Sequence, residues 1–209
     1  MINKKIIKKI ENLNIGSKQK AELILSYLGL KPAAHIRIHY KNTNSLTKTL
    51  DKINMPYKIS KPFYLDKEDS AYKPALKYVQ KYFPKYFAEK IQKNRNKRVQ
   101  AYIAQDKKTL SQLLETELDK DLDKLDKDYH RKYGRFMGYP ETAIQAFLRE
   151  RERLTNFPSE VDSSISPALD FVLSKSHYQQ ELGVLKNQSE ALRTYAPSVY
   201  KKMIKDYSS

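Results

Sequence analysis

Hydrophobic residues along the chain change their period several times, and each change marks an element. Ile2, Ile6, Ile7, Ile10 and Leu13 recur at helical spacing, with Lys4, Lys5, Lys8 and Lys9 filling the other positions. Gly16 reads as the stop and Ser17 as the next N-cap. Ala21, Ile24, Leu25 and Leu28 then share one face of a second helix, closed by Gly29 and Pro32. This pair reads as a packed αα-hairpin in preference to a DNA-reading helix-turn-helix. Alternation follows: Ala34, Ile36, Ile38 and Tyr40 on one strand face, His35, Arg37 and His39 on the other.

Leu46, Leu50 and Ile53 mark a short helix capped at Asn44 or Ser45. Tyr57, Ile59, Phe63 and Leu65 alternate as a second strand. Pro62 has no N–H for a ladder, which puts this strand at an edge or ends it early. A helical region covers residues 70–91, with interruptions at Pro74 and Pro84, and Arg98 to Ala104 is a third strand. Strand and helix alternating in this order imply crossover connections and an at least partly parallel sheet.

From Lys107 a stripe of Leu110, Leu113, Leu114, Leu118, Leu122, Leu125, Tyr129 and Tyr133 predicts one long helix. It runs into an aromatic turn, Tyr133-Gly134-Arg135-Phe136-Met137-Gly138-Tyr139-Pro140-Glu141. A further helix then carries Ala143, Ile144, Phe147 and Leu148. Beyond a loop at residues 156–167, Leu185, Leu192, Val199 and Ile204 mark helices broken at Pro197. The fold class expected is α/β or α+β and helix-rich. A small mixed sheet of about three or more strands fills the first half, and the second half is helical. Residues 1–209 read as a single domain, with a possible subdivision into a basic α/β part, 1–105, and a helical part, 106–209.

Charge changes this picture more than composition does. The net charge is +16, and residues 1–100 carry 23 Lys and Arg against 7 Asp and Glu. Residues 101–209 carry 17 against 17. A one-sided excess points to a polyanion partner, nucleic acid foremost, against the alternative of plain lysine enrichment. There is no cysteine, so thiolate chemistry and Cys-ligated metals are excluded. No apolar run approaches a membrane span, and the lysine-broken N-terminus is not a signal peptide, which makes the cytoplasm the expected location.

Three clusters are candidates for chemistry. His35, Arg37 and His39 share a strand face and could hold an anion such as phosphate, although His35 and His39 stand too far apart to share a metal. At the aromatic turn, His130, Arg131, Arg135, Tyr139 and Glu141 are candidate ligand-binding residues, beside glycines that allow close backbone approach and a helix start that favours an anion. The acidic run Asp119, Asp121, Asp123, Asp126 and Asp128 interleaves with lysines and reads as a solvated helix face, not a cation site. Ser174-Lys175-Ser176-His177 lacks the partners of a nucleophile motif, and no phosphate loop or dinucleotide fingerprint is present. No cofactor and no metal is expected, and whether the protein is an enzyme stays open.

The aromatic turn, with Phe147 beyond it and the strand and helix from Val99 before it, resembles a segment of uncharacterised prokaryotic proteins. These carry Gly-(Tyr/Phe)-Pro-Glu-Cys-Cys after a glycine-containing helix end. Thr142 and Ala143 stand in place of the two cysteines, so no thiol or metal role carries over. The resemblance covers about a quarter of the chain. It implies shared local architecture and no activity.

Three functional expectations follow. The first is nucleic-acid or other polyanion binding through the basic N-terminal half. The second is a small-molecule enzyme or binding protein with an anionic-ligand pocket between Gly134 and Glu141. The third is a protein–protein adaptor with an exposed helix face.

Overall fold

The computed structural model describes residues 2–64, 97–118, 126–155 and 171–208. The expected helix at 70–91, the loop at 156–167 and Asp119, Asp121 and Asp123 lie outside them. A four-strand sheet is built around β4 (Lys97–Ala104). Along one edge of β4 runs β1 (Ala33–His39), paired from Ala33 opposite Ala104 to His39 opposite Arg98. Along the other edge lie β2 (Tyr57–Ile59) and β3 (Phe63–Tyr64), end to end.

Every one of these pairings is antiparallel, which corrects the expectation of a mixed, partly parallel sheet. The reason is an insertion. β1 and β2 do point the same way and are joined through the helix α3 (Thr43–Lys52), as a crossover requires. β4 arrives later in the chain and occupies the place between them, running opposite to both, so the β-α-β unit is split.

Pro62 acts as its chemistry dictates. From Ile59 to Phe63 the chain takes four steps while β4 takes three, from Ala101 to Arg98, so one extra residue bulges out around Ser60-Lys61-Pro62. Ser60 repairs the ladder there. Its N–H donates to Gln100 O at 2.9 Å, and its Oγ accepts from Gln100 N at 2.9 Å.

The period-2 alternation sorts the sheet into two faces. Ala34, Ile36 and Ile38 join Val99, Ala101 and Ile103 in one core with α1 (Lys4–Glu11), α2 (Ser17–Tyr27) and α3. The C-terminal helices α7 (Tyr178–Tyr195) and α8 (Pro197–Ser208) add Leu192, Ala196, Val199 and Met203 to that same core. The principal core therefore draws residues from both sides of position 105. Ile24, Leu46, Leu50 and Leu192 are closed off from solvent, and each such side chain contributes about 1.5–3 kcal/mol. Among the described residues the opposite sheet face is covered at one end, where Ala33, Tyr102 and Ala104 meet Leu113 and Met137.

Leu113 lies in one helix, and Met137 is the C-cap of the next, within the aromatic turn. α4 (Lys107–Leu118) and α5 (Lys127–Phe136) are separate helices, which corrects the single long one expected. Asp126 has an extended backbone (φ −71°, ψ 141°), and its carboxylate accepts from Asp128 N at 3.0 Å, so a new helix is capped at that point. A leucine stripe reports which face is buried, and it continues across such a break unchanged. At α2 the cap position is Gly16, not Ser17: Gly16 N–H donates to Gln19 Oε1, while the Ser17 hydroxyl reaches Asp206 at 2.7 Å. Among the described residues no helix is long and apolar enough to cross a membrane.

Candidate functional site

The aromatic turn is a joint between α5 and α6 (Glu141–Phe147), and its glycines are explained by packing. A Cβ on Gly134 would stand 2.9 Å from Ile144 Cγ1. Gly138 has φ +74°, and a Cβ there would stand 3.1 Å from Pro32 Cδ. The close approach that glycine permits is used by the protein itself, to seat the turn on the segment before β1.

Its charged residues are spent in the same way. Arg135 Nε donates to Glu141 Oε2 at 2.9 Å, and Arg131 reaches Glu150 at 3.0 Å and Glu141 at 3.6 Å. The hydrogen bond from Arg135 holds the Glu141 carboxyl below the usual carboxylate range, against a smaller opposing effect of burial. Glu141 itself occupies the first turn of α6, where an anion was expected.

His130 and Tyr139 face the other way, into a cavity of about 550 Å³ shared with Ile144, Phe147, Phe171 and Leu173. The His130 ring sits edge-on to Phe147 at 5.1 Å, and Tyr139 lies 5.4 Å from Phe171. The five expected ligand residues are thus divided. Three are ion-paired with one another or with Glu150, and two line an apolar hollow with no lysine or arginine among its described lining residues.

The strand-face triplet is divided as well. His35 lies under α5, its Nδ1 2.9 Å from Tyr133 Oη and its ring stacked on Tyr102 at 4.5 Å. It belongs to a buried polar layer in which Tyr129 donates to Glu117 at 2.5 Å. Burial first, then the Glu117 carboxylate, pushes the Tyr102 hydroxyl up to about 12 and raises Tyr129 as well. His35 is therefore part of what fastens α4 and α5 to the sheet, not part of an open anion site.

Arg37 and His39 are open. At the far end of β1, beneath the 3-10 turn Tyr40–Asn42, a recess of about 260 Å³ is lined by Arg37, His39, Lys41 and Arg98 together with Gln19 and Asn42. No carboxylate is among its described lining residues. Among the described residues no ion pair reaches Arg37, His39, Lys41 or Arg98. Arg98 Nε is buried without a hydrogen-bond partner.

The cations feel each other. His39 is held below the ordinary histidine value by burial first, then by repulsion from Arg98 and Lys41. Arg98 is lowered by burial and by Arg37. The guanidinium of Arg37 also lies over the Phe63 ring at 5.6 Å, and Lys97 Nζ lies 4.6 Å from the Tyr40 ring centroid. Like charges gathered in a concave place with an unmet N–H form an arrangement that an anion would relieve.

Sequence reasoning missed Lys41 and Arg98 at this site. Lys41 keeps the parity of His35, Arg37 and His39 but lies in the turn beyond the end of the strand. Arg98 lies far along the chain and is brought opposite His39 only by strand register. It also missed that Ser174 is fully buried, donating from N and Oγ to Glu181 at 2.7 and 2.6 Å, while Thr142 donates to the same carboxylate at 2.6 Å. Glu181 therefore fastens both Thr142 of α6 and the segment at Ser174 to α7, and Ser174 is a buried structural donor. Set against known proteins, the chain matches no family model, no curated protein and no solved structure.

Proposed function

We propose that the protein binds a phosphate-bearing polyanion, nucleic acid above all, through the recess formed by Arg37, His39, Lys41 and Arg98. The observation that carries this reading is convergence: three cationic side chains and a histidine, from two strands and a turn, line one concavity, with no carboxylate among its described lining residues. Scattered lysines from compositional bias would not meet in this way. Phosphate oxygens would accept from the guanidinium and ammonium groups, Arg98 Nε included, and would lower the repulsion among them.

The test is fluorescence anisotropy with labelled mixed-sequence RNA and DNA at about 50 mM salt. Arg37→Glu/Lys41→Glu, both at exposed positions, is expected to weaken binding by more than ten-fold with an unchanged circular dichroism spectrum. Lys4→Glu/Lys9→Glu makes the same charge change on exposed positions of α1 and is expected to leave affinity within about three-fold. Equal losses from the two pairs would mean that net charge binds and the recess does not.

A second reading attaches to the cavity beside the aromatic turn, and there the lining favours an apolar or aromatic small molecule over the anion first expected. An environment-sensitive apolar dye should bind there and be displaced by Val172→Trp, which puts bulk at the cavity wall. Dye binding unaffected by that substitution would remove this reading.

A further inference from the structure

Of the large hydrophobic side chains that stay exposed, Tyr40 stands beside the recess, between His39 and Lys41, and is 47% exposed. It is held in place at several points. The Thr43 hydroxyl donates to Tyr40 O at 2.7 Å, and buried Asn42 anchors the same turn by donating to Asn14 O. Lys97 is set over the ring from the first position of β4, next to Arg98. An exposed aromatic ring on an anchored turn thus lies beside a cationic pocket, with His39 and Lys41 of that pocket as its chain neighbours, as a base lies beside its phosphate in a nucleotide.

We infer that the site takes single-stranded nucleic acid, with a base stacked on Tyr40 and its phosphate in the Arg37, Lys41 and Arg98 recess. This rests on the polyanion reading above and narrows it. A duplex keeps its base faces inside the stack and offers Tyr40 nothing, whereas an open strand presents a π-face at every base. Recognition is then tolerant of sequence, because every base stacks.

The experiment compares four probes by anisotropy or by competition: single-stranded RNA or DNA, a duplex of equal charge, inorganic polyphosphate and polyglutamate. Tyr40→Ala should weaken single-strand binding about ten-fold, and Tyr40→Phe should leave it near wild type. Polyphosphate, which has no bases, should bind wild type and Tyr40→Ala alike. If Tyr40→Ala changes nothing and the duplex binds as tightly as the single strand, the inference is overturned while polyanion binding stands. If polyglutamate outcompetes every phosphate probe, the partner is an acidic protein and the inference falls. If no probe binds, the polyanion reading itself has failed.

Discussion

Salt dependence offers the sharpest measurement, because its magnitude follows from a count of side chains. Arg37, Lys41 and Arg98 line or border the recess and Lys97 flanks it over Tyr40, which makes four cations able to displace counterions from a strand. Each neutralised phosphate of a single strand contributes about −0.7 to the slope of log affinity against log salt, so the expected slope is about −2.8. Raising salt from about 50 to about 200 mM should then weaken binding roughly fifty-fold. Lys41→Ala should bring the slope to about −2.1 and the loss to roughly eighteen-fold. The assay is a series of anisotropy titrations at pH 7.5 or above, where His39 is uncharged. A slope near zero would mean that charge does not hold the ligand. A slope near −7 or steeper would implicate the lysines of the whole N-terminal half. In either case the count from the recess is wrong, and an unchanged slope in Lys41→Ala would refute it equally.

Other outcomes follow from the same geometry. The folded protein holds His39 below its ordinary value, so below about pH 6.5 the unfolded chain takes the proton more readily and this residue costs stability as pH falls. A bound phosphate reverses the sign by welcoming the proton: single-strand affinity should rise from pH 8 to pH 6, and His39→Gln should flatten that rise in a titration series. Gly138→Ala should lower stability by about 1–2 kcal/mol for its positive φ alone. Gly134→Ala should cost about 1–3 kcal/mol for the forced contact with Ile144, both read by chemical denaturation. Glu181→Ala strips the acceptor from Thr142 and from both Ser174 donors and should cost about 3 kcal/mol, a fall in Tm of roughly 6–12 °C by calorimetry. Arg135→Ala, which removes an exposed partner of Glu141, should leave nucleic-acid affinity unchanged.

How far the sequence could be read depended on whether a signal was local. Pro62 announced an edge strand, since a missing N–H is a property of one residue. The alternation from Ala34 to Tyr40 put His35, Arg37 and His39 on one face, and there they are. What the alternation could not supply was the cover over that face. Tyr133 comes from almost a hundred residues away to take His35, and Arg98 comes from β4 to join His39, and both depend on tertiary placement. The aromatic turn misled for a related reason. Glycines beside charges look alike whether they admit a ligand or a neighbouring helix, and only the positions of Ile144, Pro32 and Glu150 decide between the two. The split β-α-β unit was hidden because pairing order is a long-range property that local periodicity does not encode.

The bulge at Ser60-Lys61-Pro62 bears on how molecules of this protein meet at high concentration. Strand edges recruit one another when they are straight and fully furnished with N–H donors, and this is how fibres begin. Here the outer margin of the sheet is kinked after three residues, bears Lys58 and Lys61 in solvent, and includes a ring that donates nothing. The opposite margin is partly occupied too, since the Gln19 amide donates to the carbonyl of Arg37 at 2.6 Å. A protein that gathers positive charge around one strand end must still be kept from pairing edge to edge with its copies, and an irregular margin at Pro62 works against such pairing.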